Sequence, residues 1–254
     1  MRRILAGSSQ NIGDVMNSIG WFVPPYVSVG LLNTVAREIT QTQGQFTQDR
    51  AEYVLGLIYG PDRLASMVVG RYSQTSVVDL YQQTIAEAIA AHFSGFRHVA
   101  VSGLIPVVEG IGRELARQYG FNHAAYVKSV FRDLCEGAKQ DVWKRKIGAT
   151  QEIADMLDAF FGFLKDYFFE QSDSYSLLDK TNRNGILHGA YKDADFGRPI
   201  NFFKTISAVD ILTFVSALRT PKVSGFAPEH TPESKALAER YRWLQTGPGP
   251  SNSF

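Results

Sequence analysis

The chain has 254 residues, of which 44% are hydrophobic and 20% charged, with a net charge of +1 and a pI of about 7.8. This ordinary globular balance suits one large domain or two modest ones. It excludes a strongly basic nucleic-acid coat, so any RNA or DNA contact comes from a local patch, and the single cysteine, Cys135, excludes an internal disulfide framework and every cysteine-based zinc cluster.

Residues 1–75 are the least regular third. Met1-Arg2-Arg3-Ile4-Leu5-Ala6-Gly7 has basic residues without a sustained apolar core behind them, a poor signal peptide. Apolar stretches elsewhere are broken by charge or proline within about ten residues, short of the roughly 20 that span a bilayer. No membrane partner is expected, and the expected compartment is the cytoplasm. Gly20-Trp21-Phe22-Val23-Pro24-Pro25-Tyr26 cannot lie mid-helix because of its two prolines. Its aromatics suit packing over the core better than a docking segment. Helices are predicted over about 28–42 and 48–58, and Gly60-Pro61-Asp62 makes a turn or starts a short helix.

From about residue 76 the pattern is strongly helical. Residues 76–93 carry one apolar stripe, Val77, Leu80, Tyr81, Ile85, Ala88, Ile89 and Phe93. A second helix covers 96–118, kinked or started at Pro106. Asn122 caps a third, to about 145, in which Cys135 sits among Phe131, Leu134 and Ala138 as a buried thiol rather than a nucleophile. Thr150 caps a fourth, to about 168, with a broad aromatic face of Phe160, Phe161, Phe163, Tyr167 and Phe168. A segment near 173–189, a Gly/Asp-rich turn over 189–199 and a buried helix over 200–218 complete this region. Pro221, Gly225, Pro228 and Pro232 then punctuate a linker. Residues 231–244 form a last helix capped by Thr231 with Pro232 at its first position, and the Gly/Pro/Ser tail from 247 to 254 is disordered. With no strand alternation and no internal repeat, the fold class is all-α. Residues 1–75 form an N-terminal helical extension packed on the bundle, 76–220 the helical bundle, and 221–254 a linker, short helix and tail.

The run Asn182-Arg183-Asn184-Gly185-Ile186-Leu187-His188-Gly189 places a guanidinium, a carboxamide and an imidazole within six positions. Arginine offers a permanent planar fork of donors that fits phosphate, and histidine, with an ordinary pKa of about 6.5, moves protons near neutrality. On a helix Asn184 and His188 share a face, whereas the Cα–Cβ vectors of Arg183 and His188 diverge by roughly 140°, so only a long side chain swings round to meet the ring. Gly185 weakens the helix interior and Gly189 suits a helix stop. The competing reading is a capped helix whose Arg and His bond internally.

Other clusters are weaker. Glu109 and Arg113 make an ordinary i,i+4 ion pair, although Glu109 stands in an apolar run where a lone carboxylate is costly to bury. Lys139, Lys144, Arg145 and Lys146, with Trp143 among them, either track an RNA backbone or close a helix as solvated cations. His92, His98, His123 and His230 form no zinc pattern, Asp193 and Asp195 lack calcium-loop spacing, and there is no P-loop or nucleophile elbow, so no metal and no cofactor are expected.

Arg183-Asn184-x-x-x-His188, together with Leu104-Ile105-Pro106-Val107-Val108-Glu109-Gly110-Ile111-Gly112-Arg113 and with Asp195-Phe196-Gly197 before Asn201, resembles the HEPN superfamily over about residues 76–220. The resemblance implies a metal-independent endoribonuclease of the toxin or defence-effector kind, a homodimer whose paired motifs build one composite cleft for an RNA substrate, subject to a regulatory or antitoxin partner. Carried over, Arg183 binds the scissile phosphate, His188 is general acid or base, Asn184 orients the imidazole or the phosphate, and Glu109 holds Arg183 in place. Lys144, Arg145 and Lys146 are the weaker RNA-binding candidates. A non-catalytic helical module binding nucleotide, RNA or protein is the alternative.

Overall fold

Three of the helix starts are set by proline, whose missing N–H and fixed φ suit the first helical position: Pro61, Pro199 and Pro232. A computed structural model describes residues 6–41, 48–220 and 226–247, with the side chains of residues 6–11 and 29 excepted. The described residues form an all-α helical bundle and contain no strand. Pro221, Gly225 and most of the 247–254 tail lie outside the described residues.

The first four helices are α1 (Ala6–Ser18), α2 (Val29–Gln41), α3 (Gln48–Ile58) and α4 (Pro61–Gly70). After short 3₁₀ turns come α5 (Gln82–Phe93), α6 (Arg97–Gln118), α7 (Val127–Arg145) and α8 (Thr150–Phe163), then the five-residue α9 (Arg183–Leu187), α10 (Pro199–Ala217) and α11 (Pro232–Thr246). Neighbours in sequence pack as neighbours in space from α5 to α8, α10 runs against α6, α3 and α8, α1 covers α8, and α11 lies on α4 and α5. Trp21 and Phe22 are fully buried, with the Phe22 ring 5.0 Å from those of Phe160 and Phe163. The aromatic segment thus joins α1 to the core, as the sequence indicates.

Several boundaries differ from the periodicity reading. The expected single helix over 76–93 is split, because Val77 has φ 71° and a 3₁₀ turn over Val78–Tyr81 precedes α5. Leu80 consequently points out and is 71% exposed. Helix α6 contains Pro106 in its interior rather than starting there. Asn122 caps no helix. Its Oδ1 accepts from Ala124 N in a turn, and α7 begins only after Tyr126. Thr150 is the first helical residue after Ala149, and α8 ends at Phe163, followed by a π turn over Leu164–Phe168. Cys135 is buried, and burial pushes its thiol up to about 12, far from thiolate chemistry at neutral pH. His92 is stacked on Phe202 at 3.9 Å, and burial brings its pKa down to about 3, so it serves as a neutral core ring.

Helix α10 is the centre of the molecule. It is long and apolar enough to cross a membrane, contrary to the reading that no segment is, yet every one of its described residues from Ile200 to Ala217 is buried by other helices. Its polar side chains are therefore matched inside the protein. Asp210 accepts from Arg63 (2.8 Å) and from the Tyr72 hydroxyl (2.6 Å). Trp21 Nε1 donates to Ser207 at 3.1 Å, and Ser216 donates to Ser76 O at 2.6 Å. Lys204, fully buried, donates to Ile19 O at 2.8 Å and pairs with Asp179. Asp179 is in turn bonded by the Tyr175 hydroxyl and by Thr181 N. Burial pushes the Asp179 carboxyl up, but Lys204 and these hydrogen bonds outweigh it and hold the group below the ordinary carboxylate range.

Removing one partner of such a pair strands the other charge. Lys204→Met should therefore lower the unfolding free energy by about 3–5 kcal/mol, read as a lower urea midpoint at unchanged m-value. Because Asp179 is depressed in the folded state, its contribution is complete above the unfolded carboxylate pKa and is lost as pH falls through the folded value. The gap between parent and variant should narrow in acid.

Candidate functional site

The motif is built from its first residue. Asn182 is fully buried and extended (φ −132°, ψ 123°), and its Oδ1 accepts from Gly185 N at 2.7 Å as an N-cap. Its Nδ2 donates to Tyr167 O (2.8 Å) and Glu170 O (2.9 Å), which fixes the start of α9 on the chain just after α8. The predicted long segment over 173–189 is mostly irregular: Lys180 has φ 58°, the Asp179 carboxylate takes Thr181 N, and helix occupies only Arg183–Leu187. Gly185 does not loosen that helix. A Cβ there would stand 2.2 Å from the Tyr191 ring, so the missing side chain is what lets Tyr191 close on α9. Tyr191 is held by its N–H to Gly185 O and its hydroxyl to Ser172 O, both at 3.0 Å. Gly189, at φ 70°, ends the turn as the sequence indicates.

This short helix brings four of the named residues together. Arg183 Nε and Nη2 reach Glu109 Oε2 at 3.1 and 3.0 Å. Its Nη1 donates to Asn184 Oδ1 at 3.0 Å and to His188 Nε2 at 2.9 Å. A guanidinium cannot accept, so the contact is a hydrogen bond in the tautomer whose Nε2 lone pair faces Arg183. The five-residue separation closes because His188 lies just past the helix, at φ −95° and ψ 6°, rather than on it. Asn184 touches the guanidinium and not the imidazole. Its Nδ2 is spent on Phe169 O (3.3 Å) and Glu170 O (2.9 Å), so it orients Arg183. The side chains of Glu109 and Arg183 are 17% and 23% exposed, and His188 is exposed, which puts the cluster at the surface with its acidic member beneath.

Glu109 does both things that the sequence offered as alternatives. Its other oxygen accepts from Arg113 Nε at 2.9 Å. Arg113 Nη1 continues to His123 O (2.6 Å) and Ala125 O (3.2 Å), tying the loop before α7 to the same carboxylate. On the opposite side, Lys128 pairs with Glu170 at 2.7 Å, and this contact holds the Glu170 carboxyl below its ordinary range. Sequence reasoning missed Arg113 as a loop clamp, Lys128, Glu170 and Asn182. Only Asn182, an Asn three residues before a glycine N–H, carried a local signal.

Lys144, Arg145 and Lys146 do not join this cluster. They close α7, about 24 Å beyond Lys128 at the helical rise, where Arg145 bonds Leu218 O and Lys146 ends the helix at φ 53°. Lys139 is taken by Glu136 and Asp158. The exposed Lys144 and Lys146 form a solvated helix end. His98 Nε2 stands 3.1 Å from Asp193 O, and no group of three or more His, Cys, Asp or Glu among the described residues is placed to hold a metal ion. No family model, no curated protein and no solved structure matches the chain.

The Gly185 contact gives a direct check. Gly185→Ala should displace Tyr191 and cost about 1–3 kcal/mol, the usual range for overpacking a filled site, with quenched Tyr191 contacts in NMR spectra and little change in helix content by circular dichroism.

Proposed function

We propose that the chain is a metal-independent endoribonuclease of the HEPN type, acting as a homodimer in the cytoplasm, of the toxin or defence-effector kind and restrained by a regulatory or antitoxin partner. The observation that carries the reading is the 2.9 Å contact between the Arg183 guanidinium and the His188 imidazole at the surface, braced from below by Glu109. On this reading an RNA phosphate draws the guanidinium fork toward its non-bridging oxygens. That frees the Nε2 lone pair of His188 to take the proton of the ribose 2′-hydroxyl. The 2′-oxygen attacks phosphorus, the P–O5′ bond breaks, and the 5′-oxygen leaves with the proton that the His188 imidazolium returns, giving a 2′,3′-cyclic phosphate and a 5′-hydroxyl end. Arg183 offsets the charge that builds on the equatorial oxygens. DNA has no 2′-hydroxyl and is not cleaved this way.

The second reading is a non-catalytic helical module that binds nucleotide, RNA or a protein partner. It is favoured by one feature: the Arg183 guanidinium is already engaged by Glu109, Asn184 and His188, an arrangement that also serves as a structural brace.

Pairing of two copies is supported by an uncharged, exposed face of α6 beside the cluster. Val99 is 65% exposed, Gly103 has open space where a side chain would stand, and Pro106 is exposed; they follow one another at helical spacing, with Pro106 about one turn and Val99 nearly three turns before Glu109. On this reading a second copy docks along that face.

Arg183→Ala and His188→Ala should each reduce cleavage of a labelled RNA by about a hundredfold or more while circular dichroism stays that of the parent. Cleavage undiminished in both variants rejects the ribonuclease reading. Light scattering should give a dimeric mass for the parent, and Val99→Asp, with a charge on the uncharged face, should shift it to the monomer with loss of cleavage.

A further inference from the structure

Tyr126 is 61% exposed and stands in extended conformation (φ −54°, ψ 135°) as the residue before α7. Two relays of hydrogen bonds link the chain on either side of it to the Arg–His pair. Upstream, the carbonyls of His123 and Ala125 accept from Arg113, which shares the Glu109 carboxylate with Arg183. Downstream, Lys128 pairs with Glu170, whose carbonyl accepts from Asn184, the residue that orients Arg183. Every contact in both chains is 3.2 Å or shorter. Three other exposed aromatics lie elsewhere. Trp143 is at the far end of α7, Trp243 is on α11, and Phe96 opens α6 about three turns before Glu109.

We propose that the Tyr126 ring is a stacking platform for an unpaired nucleobase adjacent to the scissile phosphate, so that the substrate is single-stranded RNA or an RNA loop. The proposal rests on the ribonuclease reading and adds its substrate class. On this reading the strand held by Arg183 continues across the loop that carries Tyr126. An aromatic ring receives any base, because every base presents a π face, whereas a duplex keeps those faces inside its own stack. Recognition is then tolerant of sequence and selective for unpaired strands.

The test compares Tyr126→Ala and Tyr126→Phe with the parent on a fluorescein-labelled single-stranded RNA and on the same strand annealed to its complement. Loss of one stacked base should raise KM roughly tenfold in Tyr126→Ala with kcat nearly unchanged, while Tyr126→Phe, which keeps the ring, behaves as the parent. The duplex should be cleaved poorly by all three. Binding of the single strand, followed by anisotropy with His188→Ala protein so that no cleavage intervenes, should weaken by a similar factor when Tyr126→Ala is added. Equal KM and equal binding with and without the ring, or equal cleavage of strand and duplex, overturn the proposal while leaving the ribonuclease reading in place. A parent that cleaves no RNA counts against the ribonuclease reading itself, and the anisotropy comparison then still decides whether Tyr126 binds the strand.

Discussion

A helix buried on every side must find a partner for each polar group it carries, and α10 carries seven polar or charged side chains that are fully or nearly fully buried. An unmatched polar group at such depth costs about 1–3 kcal/mol, and an unmatched charge more. The partners come from separated parts of the chain. Asp210 draws in Arg63 of α4 and Tyr72, Ser207 draws in Trp21, and Ser216 reaches Ser76. Lys204 and Asn201 together capture the segment from Asp179 to Thr181. The polar residues of α10 thereby fix the register of the elements around it. Apolar contact alone, being non-directional, would leave that register loose.

The motif inherits its position from this arrangement. Once Asp179 and Thr181 are fastened to α10, the next residue, Asn182, has its side chain aimed at the chain end of the π turn, and α9 starts from there. Arg183 is then the first helical residue and points toward α6, where Glu109 waits one carboxylate deep. Since α9 ends after Leu187, His188 turns back over the guanidinium. A longer helix would have carried the ring away from Arg183. The short element and the glycine at its centre are therefore structural requirements of the Arg–His contact.

Long periodic elements were legible in the sequence: α5 through α8 in outline, α10 almost to the residue, and α11 with its Thr231 cap. Their apolar spacing is the direct consequence of burying one face or all faces. The interruptions were not legible. Val77 and Lys180 adopt positive φ without being glycine, a conformation imposed by tertiary contacts and invisible to local propensity. The breaks at 76–81 and 175–182 follow from it. In the site, Arg183, His188 and Asn184 could be named because they fall within six consecutive positions, and Glu109 because the resemblance pointed to it. Lys128 and Glu170, 42 residues apart, and the carbonyls of residues 123 and 125 carry no local signature. Conversely, the dense cations at 144–146 drew attention by number alone, and the length of α7 sets them apart from the motif.

The contacts of Arg183 with its own chain bear on whether such a site can act. Its ion pair with Glu109 is partly exposed, and partly exposed pairs contribute about 1 kcal/mol or less. The hydrogen bond to His188, at the exposed rim, is of similar or smaller worth. A charge-assisted hydrogen bond to a phosphate oxygen contributes about 1.5–3 kcal/mol, and a planar guanidinium can make two at once. The balance favours exchange: an incoming phosphate takes the Nη1 edge from His188 while Nε stays on Glu109. Glu109 then acts as a pivot that keeps the fork aimed outward, and the interaction surrendered is the one whose loss exposes the Nε2 lone pair. Under the proposed ribonuclease reading, substrate binding itself unmasks the base, and without substrate the two groups neutralise each other's reactivity.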